Sequence, residues 1–269
     1  MKYVIVSGAY GGMGYKTVQA LVKKGFGVFA LDKKVKPAEE NVFPIETDVS
    51  DEQSVKLAFE RVKTQTDEIF AIIHFAGIYR LDSLVEMTEE RFTGIFNVNV
   101  FGAYRVNKTF LPLLKSGGRI IITTSELAPL SPLPFTGIYG ITKTALEKYA
   151  FSLRMEVQLL GIKVSVLRPG AVKTDLLSDS TRELENFCKN TALYSYNAEK
   201  FRKIVESVES KNVSTEKIAE TVIKSLNSKR PKYVYNLNRN PLLRLLNALP
   251  QRLQTGIIRK ILKNREKKN

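Results

Sequence analysis

The chain has 269 residues, with 42 lysines and arginines against 27 acidic residues, a formal net charge of +15. Hydrophobic residues at 43% and charged residues at 26% are ordinary globular values, which excludes a disordered or fibrous chain. The single cysteine, Cys188, cannot form an internal disulfide, and no apolar run approaches the roughly 20 residues of a membrane span. The N-terminal sequence lacks a signal-peptide cleavage site, so we expect a cytoplasmic protein that needs no oxidising compartment.

Strands and helices alternate along most of the chain. Apolar, β-branched runs predict strands at residues 3–7, 28–31, 69–77, 119–125 and 163–170. Apolar residues at helical spacing predict helices at 15–24, 51–63, about 89–115 and about 137–160. Continuously apolar strands without hairpin signals are typical of a parallel sheet covered on both faces. The predicted fold is one doubly wound α/β domain of the Rossmann type over residues 1–223.

A glycine-rich turn separates the first predicted strand from the first helix. Its glycines, Gly8, Gly12 and Gly14, have the spacing G-x-x-x-G-x-G. Glycines let the backbone approach a pyrophosphate, and the N-terminus of the following helix offers it unpaired N–H groups. Such a sequence is also found in ordinary turns, but after the first strand of an α/β chain it favours a nucleotide site.

Asp32 lies at the end of the second strand, where its carboxylate can accept both hydroxyls of an adenosine ribose. That carboxylate would repel a 2′-phosphate, which favours NAD(H) over NADP(H). Asp32 could equally begin a surface turn. Because Lys33 and Lys34 follow directly and could hold a phosphate, NADP(H) remains an alternative.

Tyr139 and Lys143 stand four residues apart near the start of a helix, so their side chains share one face. A free tyrosine has a pKa near 10, and bringing it to about 7 needs around 4 kcal/mol of preferential stabilisation of the phenolate. A nearby ammonium and a positively charged nicotinamide could supply this together. Ser125, at the end of the fourth strand, could place a hydroxyl beside the same substrate oxygen.

These motifs, in this order, resemble the short-chain dehydrogenase/reductase family over about residues 2–224, most of all its steroid- and retinol-dehydrogenase branch. The resemblance implies a catalytic set of Asn99, Ser125, Tyr139 and Lys143. It implies no metal and a cofactor site made by Gly8, Gly12, Met13, Gly14, Asp32, Asp48, Val49, Ala76, Gly77, Tyr139, Lys143, Pro169, Gly170, Val172 and Thr174. It also implies a homodimer or tetramer formed through the helices that carry Asn99 and Tyr139.

The family mechanism assigns each catalytic residue a task. Tyr139 would act as general base or acid on the substrate oxygen. Lys143 would lower the tyrosine pKa and bind the nicotinamide ribose, while Ser125 orients the substrate oxygen. Asn99 would hold a water that links Lys143 to solvent.

His74 and Phe75 depart from the family pattern, because they replace two asparagines. The replacement puts in doubt the hydrogen bonds with which those asparagines brace the sheet. At the end of a strand, a structural role for His74 is favoured over acid–base chemistry.

The substrate region is apolar. The segment 127–136, LAPLSPLPFT, should line the pocket beside Ser125. A cover is predicted over about residues 175–212, and it is rich in apolar side chains: Leu176, Leu177, Phe187, Leu193, Tyr194, Tyr196 and Phe201. These features suggest a hydrophobic alcohol or ketone such as a steroid, retinoid or other lipid. The same residues could instead serve only to pack the cover on the body.

The positive charge is concentrated in a C-terminal extension, residues 224–269, which has thirteen basic residues and one acid. In residues 241–262, leucines 242, 245, 246 and 249, and after Pro250 further leucines and isoleucines, form a stripe opposite basic residues. Such an amphipathic pair of helices can lie on a membrane, or pack on its own body or on a second subunit. Nucleic acid is less favoured, since no groove of aromatic and basic residues accompanies the charge.

The sequence thus predicts an NAD-dependent oxidoreductase acting on a hydrophobic secondary alcohol or ketone. Two alternatives stay open at this point. One is a carbonyl reductase that prefers NADPH. The other is a cofactor-sensing binding protein that uses its basic extension to hold an anionic partner.

Overall fold

A computed structural model of the chain describes residues 1–172, 175–209 and 213–263. Its centre is a parallel sheet with strand order β3-β2-β1-β4-β5-β6-β7. Within the described ranges, the seven strands are β1 (Lys2–Ser7), β2 (Phe26–Asp32), β3 (Val42–Glu46), β4 (Ile69–His74), β5 (Leu114–Thr123), β6 (Lys163–Pro169) and β7 (Val234–Leu237).

Helices cover both faces of the sheet. In chain order they are α1 (Gly12–Lys23), α2 (Glu52–Lys63), α3 (Glu89–Phe96), α4 (Gly102–Phe110), α5 (Gly137–Val157), α6 (Asp175–Asn190), α7 (Ser195–Glu209), α8 (Thr215–Asn227), α9 (Pro241–Ala248) and α10 (Gln251–Leu262). A π-helical turn, Asn97–Phe101, joins α3 to α4. None of the described helices is both long and apolar enough to cross a bilayer.

The core has one layer on each face of the sheet. Val55 of α2, Phe110 of α4 and Leu146 of α5 pack against one face. Val18 of α1 and Ile218 of α8 pack against the other. Each of these five helices buries one apolar stripe, which explains why helical spacing could be recognised in the sequence. The predicted doubly wound α/β fold is confirmed.

Two strands were not predicted, β3 and β7, and both lie at the edges of the sheet. Strand β3 contains Pro44, which an edge strand tolerates because its outer N–H groups need no partner. Strand β7 has only four residues, too few for a periodic signal.

Two predicted boundaries were wrong. The helix predicted at 89–115 contains the π-helical turn and ends at Phe110, and residues from Leu114 already belong to β5. The strand predicted at 69–77 ends at His74. Residues 75–77 leave the sheet beside the glycine-rich turn, where the N–H groups of Phe75 and Ala76 both donate to the carbonyl of Ser7.

The division at residues 223 and 224 falls inside α8, and the following β7 pairs with β6 in the main sheet. Helices α9 and α10 then return across the body, broken at Pro250 as the sequence indicated. The structure thus places the first part of the basic extension within the sheet domain. The division itself stays a prediction.

The strand order changes direction between β1 and β4, which are neighbours although β2 and β3 intervene in sequence. In open α/β sheets the crevice outside the carboxyl ends of the strands at this point is where ligands bind. The glycine-rich turn follows β1 here, and Ala76 and Gly77 follow β4.

Candidate active site

Two glycines of the glycine-rich turn, Gly8 and Gly14, are packed so tightly that a side chain would not fit. A Cβ at Gly14 would lie 2.0 Å from the carbonyl oxygen of Gly8, and a Cβ at Gly8 would lie 2.4 Å from the amide nitrogen of Ala76. Gly8 also has φ +69°, a conformation that side chains disfavour. Helix α1 therefore begins at Gly12 directly against the ends of β1 and β4.

The N-terminus of α1 is open to an anion. Its N-cap is Gly11, which has no side chain to cap the first N–H groups, and the first turn holds no acidic residue. The first N–H groups of a helix have no partner within it and carry partial positive charge. These residues fit the pyrophosphate of a dinucleotide, and Met13 lines the adjoining cavity.

The predicted adenosine side of the site lies at the ends of β2 and β3. Asp32 Oδ2 accepts the backbone N–H of Tyr10 at 2.8 Å, so the carboxylate faces the glycine-rich turn. Lys33 Nζ lies 2.8 Å from Asp48 Oδ2. Burial raises the pKa of Asp48, but hydrogen bonds from Lys33 and Ser50 outweigh it and hold that pKa below its ordinary value. Lys33 thus forms an ion pair with Asp48, while its own side chain stays 67% exposed.

Val49, the neighbour of Asp48, is buried under α4. A Cβ at Gly102 would lie 2.8 Å from Val49 Cγ2, so this helix approaches the adenosine side closely. The contact fixes the loop after β3 relative to α4.

Ser125, Tyr139 and Lys143 meet at the carboxyl end of β5 and the first turns of α5. Lys143 Nζ donates to the carbonyl of Thr123 at 3.3 Å and lies 5.6 Å from the centre of the Tyr139 ring. All three line the same cavity. The structure therefore brings together three of the four predicted catalytic side chains.

Burial sets the protonation of this pair. Burial raises the pKa of Tyr139 to about 12, and a hydrogen bond with Ser125 opposes that rise. Burial lowers the pKa of Lys143 to about 8. Both shifts favour the neutral form, since a low-dielectric site penalises charge. The tyrosine is held as an acid until positive charge is added beside it.

Asn99 lies in the π-helical turn, whose extra residue directs its side chain at the loop after β4. Asn99 Oδ1 accepts the N–H of Ile78 at 2.8 Å, and Nδ2 donates to the carbonyl of Ile78 at 3.0 Å and to Thr142 Oγ1 at 3.1 Å. A Cβ at Gly77 would come within 3.2 Å of Asn99 Oδ1 and 3.5 Å of Lys143 Nζ. The amide thus ties the loop after β4 to α5 beside the lysine.

The loop after β6 closes the nicotinamide side. Pro169 ends β6, and Pro169, Gly170 and Val172 line the cavity. A Cβ at Gly170 would lie 2.1 Å from the carbonyl oxygen of Asn238, so only glycine fits beneath the chain that follows β7. Thr174 lies outside the described residues.

His74 is fully enclosed and does not line the cavity, although its neighbour Phe75 does. Its Nε2 lies 2.8 Å from Asn107 Oδ1, its Nδ1 lies 3.5 Å from Ser7 Oγ, and Asn107 Nδ2 donates to the Tyr149 hydroxyl at 3.1 Å. Burial lowers the pKa of His74 to about 4, so the ring is neutral. The histidine therefore joins β1, β4, α4 and α5 through hydrogen bonds and is placed for a structural task.

The cavity has a volume of about 230 Å³ and is mostly apolar. The predicted cover forms α6 and α7, and Phe201 of α7 lines the cavity. Phe187, Tyr194 and Phe201 surround the ring of Phe135, with ring centres 4.5 to 5.2 Å from it. Phe135 has φ +64°, a strained backbone for a bulky residue, which this aromatic packing maintains.

Ion pairs hold the cover in place, and sequence reasoning missed them. The buried carboxylate of Glu183 on α6 lies 2.9 Å from Arg80 Nη1 and 2.7 Å from Arg91 Nη2. Glu86 accepts the Thr191 hydroxyl and two backbone N–H groups at the turn between α6 and α7. These partners lie about a hundred residues apart in sequence, so no local pattern could have indicated them.

The basic extension also reaches the site, which sequence reasoning did not foresee. Leu243 of α9 lines the cavity, and Asn247 Oδ1 accepts the N–H of Ser131 at 3.0 Å. Leu262 of α10 packs with Phe187 and Phe201 of the cover. The extension therefore docks on its own body.

The predicted stripe is covered only in part, since Leu262 packs on the cover. Leu242 and Leu245 are 70% and 65% exposed, whereas Leu243 faces the cavity. Helix α10 buries the polar residue Gln254, whose side-chain amide donates to the carbonyl of Leu249 at 2.7 Å. Apolar residues lie on both faces of these helices, and spacing alone does not say which face is covered.

Comparison with known proteins gives the family. The family model for short chain dehydrogenase matches residues 2–185. Estradiol 17-beta-dehydrogenase 2 of Mus musculus is 33% identical over 189 residues, 65% of this chain but 49% of that protein, so the match spans about half the length of this relative. The 3-ketodihydrosphingosine reductase of Bacteroides thetaiotaomicron is 26% identical over 91% of this chain and 90% of that protein.

A solved structure extends the likeness to the whole fold. The crystal structure of a short chain dehydrogenase from Burkholderia cenocepacia in complex with NADP covers 98% of this chain and 100% of its own, with a TM-score of 0.72 and 20% identity. At that identity the likeness concerns the fold. Together with the match over residues 2–185, it establishes that the chain belongs to the short-chain dehydrogenase family.

Proposed function

We propose that this protein is an NAD(P)-dependent oxidoreductase that interconverts a hydrophobic secondary alcohol and its ketone. The observation that carries the proposal is the meeting of Ser125, Tyr139 and Lys143 at one cavity, beside a helix N-terminus that is open to a pyrophosphate. The residues that would hold the cofactor are Gly8, Gly12, Met13, Gly14, Asp32, Asp48, Val49, Ala76, Gly77, Tyr139, Lys143, Pro169, Gly170, Val172 and Thr174.

The proposed mechanism uses the protonation found in the site. A bound nicotinamide supplies or accepts the hydride and, when oxidised, adds a positive charge beside Tyr139. In reduction, Tyr139 donates its proton to the carbonyl oxygen, for which its protonated state is suited. In oxidation, Lys143, cationic below about pH 8, stabilises the phenolate that takes the alcohol proton. Ser125 holds the substrate oxygen.

Asn99 would support the proton path at Lys143. Its amide fixes the Ile78 backbone and Thr142 next to the lysine. A water held near this amide would link Lys143 to solvent and return the proton to Tyr139.

A hydrophobic substrate is supported by the lining of the cavity. Apolar side chains of the segment 127–136, of α7 and of α9 face it, among them Leu127, Leu133, Phe201 and Leu243. The names of the two relatives above refer to a steroid and to a sphingoid lipid, both largely apolar. The proposed substrate cover keeps the bounds expected from the sequence, about 175–212, of which residues 210–212 lie outside the described residues.

NAD(H) is proposed as the preferred cofactor, because Asp32 faces the glycine-rich turn and Lys33 is engaged by Asp48. Separate titrations of NADH and NADPH by calorimetry test this. We expect the lower dissociation constant for NADH, and Asp32→Ser should reduce the difference. Tighter binding of NADPH to the unaltered protein would reverse the assignment.

The reaction is tested with a panel of steroids, retinoids and simple ketones, each with NADH and with NADPH. Oxidation of the cofactor that depends on a hydrophobic ketone supports the proposal. Cofactor binding without turnover of any substrate would favour the cofactor-sensing binding protein instead.

Peripheral contact with an anionic membrane is proposed for the outward face of α9 and α10. Leu242, Leu245, Leu253 and Ile261 are exposed there. Exposed basic residues accompany them, namely Arg244, Arg252, Arg259, Lys260 and Lys263. Apolar side chains interspersed with basic ones are the composition of an interfacial helix. Because Leu243 of the same helix lines the cavity, contact here would bring a lipid substrate close to its site.

Co-sedimentation with vesicles of anionic and of zwitterionic lipid tests this contact. We expect binding to the anionic vesicles only, and at least a tenfold loss for the double variant Leu242→Ser, Leu245→Ser, which leaves the docked face intact. Equal sedimentation with both lipids, or no effect of the variant, would remove the membrane proposal.

A homodimer or tetramer is proposed through α4 and α5. Phe101 and Tyr104 near α4, and Phe151 and Met155 on α5, are large apolar residues that stay exposed. Sedimentation velocity should give a mass at least twice that of the chain, and Phe151→Asp should shift it toward the monomer.

A further inference from the structure

The cavity contains one charged group that the proposed mechanism does not use. Among the described residues that line it, Lys143 is the only basic side chain and Glu126 the only acidic one. Glu126 directly follows Ser125 and is 9% exposed. Its backbone N–H donates to the carbonyl of Pro169 at 2.9 Å, which fixes it between β5 and β6.

The two carboxylate oxygens of Glu126 have different surroundings. Oε2 accepts the backbone N–H of Asn240 at 2.5 Å, where α9 begins. Oε1 lies 3.0 Å from the position that a Cβ at Gly170 would take, so it lies over the loop that closes the nicotinamide side. The carboxylate is therefore held at the end of the cavity where the chemistry is proposed to occur.

No cation of the described chain pairs with this carboxylate. Burial raises the pKa of Glu126, and neither the hydrogen bond from Asn240 nor the charge of Arg239 outweighs the burial. Three acids with shielded side chains, Glu183, Glu147 and Asp82, which are 7%, 14% and 21% exposed, each form an ion pair. A buried carboxylate without a cation is costly, and a positively charged ligand removes that cost.

We propose that Glu126 binds a positively charged amino group of the substrate, so that the site takes a hydrophobic amino ketone or amino alcohol. The inference rests on the proposed function and adds a substrate class to it. Since Glu126 is the neighbour of Ser125, the amino group would lie close to the reacting carbon. It is bound and not transformed: the carbonyl carbon receives the hydride from NAD(P)H, its oxygen receives a proton, and the amine keeps its bonds.

Binding is measured first, without turnover. Calorimetry on the full chain compares 4-phenylbutylamine with 4-phenyl-1-butanol, which match in size and differ in charge. We expect the amine to bind at least about tenfold more tightly. Glu126→Gln, which keeps the shape and the acceptor for Asn240, should abolish this difference. Glu46→Gln, the same change at an exposed strand end, should preserve it.

Turnover is measured next, with an amino ketone and the plain ketone of the same carbon skeleton. The ratio of their kcat/KM values should favour the amino ketone by at least about tenfold and approach one in Glu126→Gln. If no ketone is reduced but the amine still binds through Glu126, the proposed function fails and the amine site stands. If both ketones react equally well in the unaltered protein, the amine site fails and the proposed function stands.

Two further outcomes would overturn the proposal. The first is equal affinity of the unaltered protein for the amine and the alcohol. This measurement needs no variant, so it remains decisive even if Glu126→Gln does not fold. A loss of NADH or NADPH affinity in Glu126→Gln, with amine preference unchanged, would assign the carboxylate to the cofactor carboxamide instead.

Discussion

Two buried polar clusters lie close to the glycine-rich turn, and they differ in how completely their groups are paired. In the first, which we call the closed cluster, His74 and Asn107 are hydrogen-bonded to each other, and Ser7 and Tyr149 complete the chain of hydrogen bonds. In the second, which we call the open cluster, Ser125, Tyr139 and Lys143 line the cavity. Its lysine makes one hydrogen bond at 3.3 Å, to the carbonyl of Thr123.

The difference separates structure from chemistry. A cluster whose donors and acceptors satisfy one another lowers the energy of the fold and has nothing to offer a ligand. A cluster that opens on a cavity with unused donors and shifted pKa values is prepared for a ligand. The lone histidine, often the first residue suspected of acid–base chemistry, belongs to the first kind, and a tyrosine belongs to the second.

The largest expected effect comes from the open cluster. Tyr139→Phe should lower kcat/KM by at least about 10³-fold, because it removes the proposed acid and base. The thermal midpoint should stay within a few degrees, since the hydroxyl faces the cavity. Initial rates and thermal unfolding of the same preparation check both. Activity within tenfold of the unaltered protein would contradict the assignment.

In the closed cluster, Asn107→Leu should affect stability instead. It leaves His74 Nε2–H and the Tyr149 hydroxyl without their partner, which costs about 1–3 kcal/mol for each buried group. Urea unfolding measures the loss, and Asn227→Leu, at an exposed position, is the control. The activity of the folded protein should remain within about a factor of two. A large loss of activity at full stability would place Asn107 in the chemistry.

The pH dependence of stability comes next. The folded pKa of His74 is about 4, below the ordinary 6.5, so between these values the unfolded chain binds a proton that the folded chain does not. The free energy of unfolding should therefore fall as the pH decreases from 6.5 to 4, by up to about 1.4 kcal/mol per pH unit.

Since His74 is the only histidine in the chain, His74→Gln isolates this contribution. The difference in unfolding free energy between the two proteins should be constant above pH 6.5 and should change steadily toward pH 4. A difference that is flat over the whole window would mean that the ring titrates alike in the folded and the unfolded protein, so that burial does not lower its pKa.

The smallest effect is expected for Tyr149→Phe, which removes the same atom as Tyr139→Phe but from the closed cluster. It takes away the acceptor of the Asn107 amide at the end of the chain of hydrogen bonds, a loss of about 1 kcal/mol or less. Turnover should be unchanged. If the two tyrosine variants lost activity alike, the contrast between the clusters would be wrong.

The sequence predicted best what lies close together along the chain. Gly8, Gly12 and Gly14 stand within one turn, and Tyr139 and Lys143 within one helical turn, so their spacing alone carries the geometry. The alternation of strands and helices likewise follows from local apolar patterns. These features suffice for the fold class and for the expected positions of the proposed catalytic residues.

What the sequence could not predict depends on distant partners. Whether His74 is free or paired is decided by Asn107, which α4 brings to it. Glu126 becomes notable only because Asn240 and Gly170 enclose it and no cation among the described residues pairs with it. Spacing likewise left undecided which face of α9 is buried, because that depends on the surface it meets.

Strand β7 has a consequence for how the protein is made. It pairs with β6 through Val234 to Leu237, so the sheet acquires its last strand only when most of the chain has been synthesised. At about 5–20 residues per second, the edge of β6 stays unpaired for several seconds on the ribosome. An unpaired edge next to an apolar core can pair with another chain. A truncation before residue 234 would therefore be expected to aggregate in the cell rather than to yield a smaller soluble enzyme.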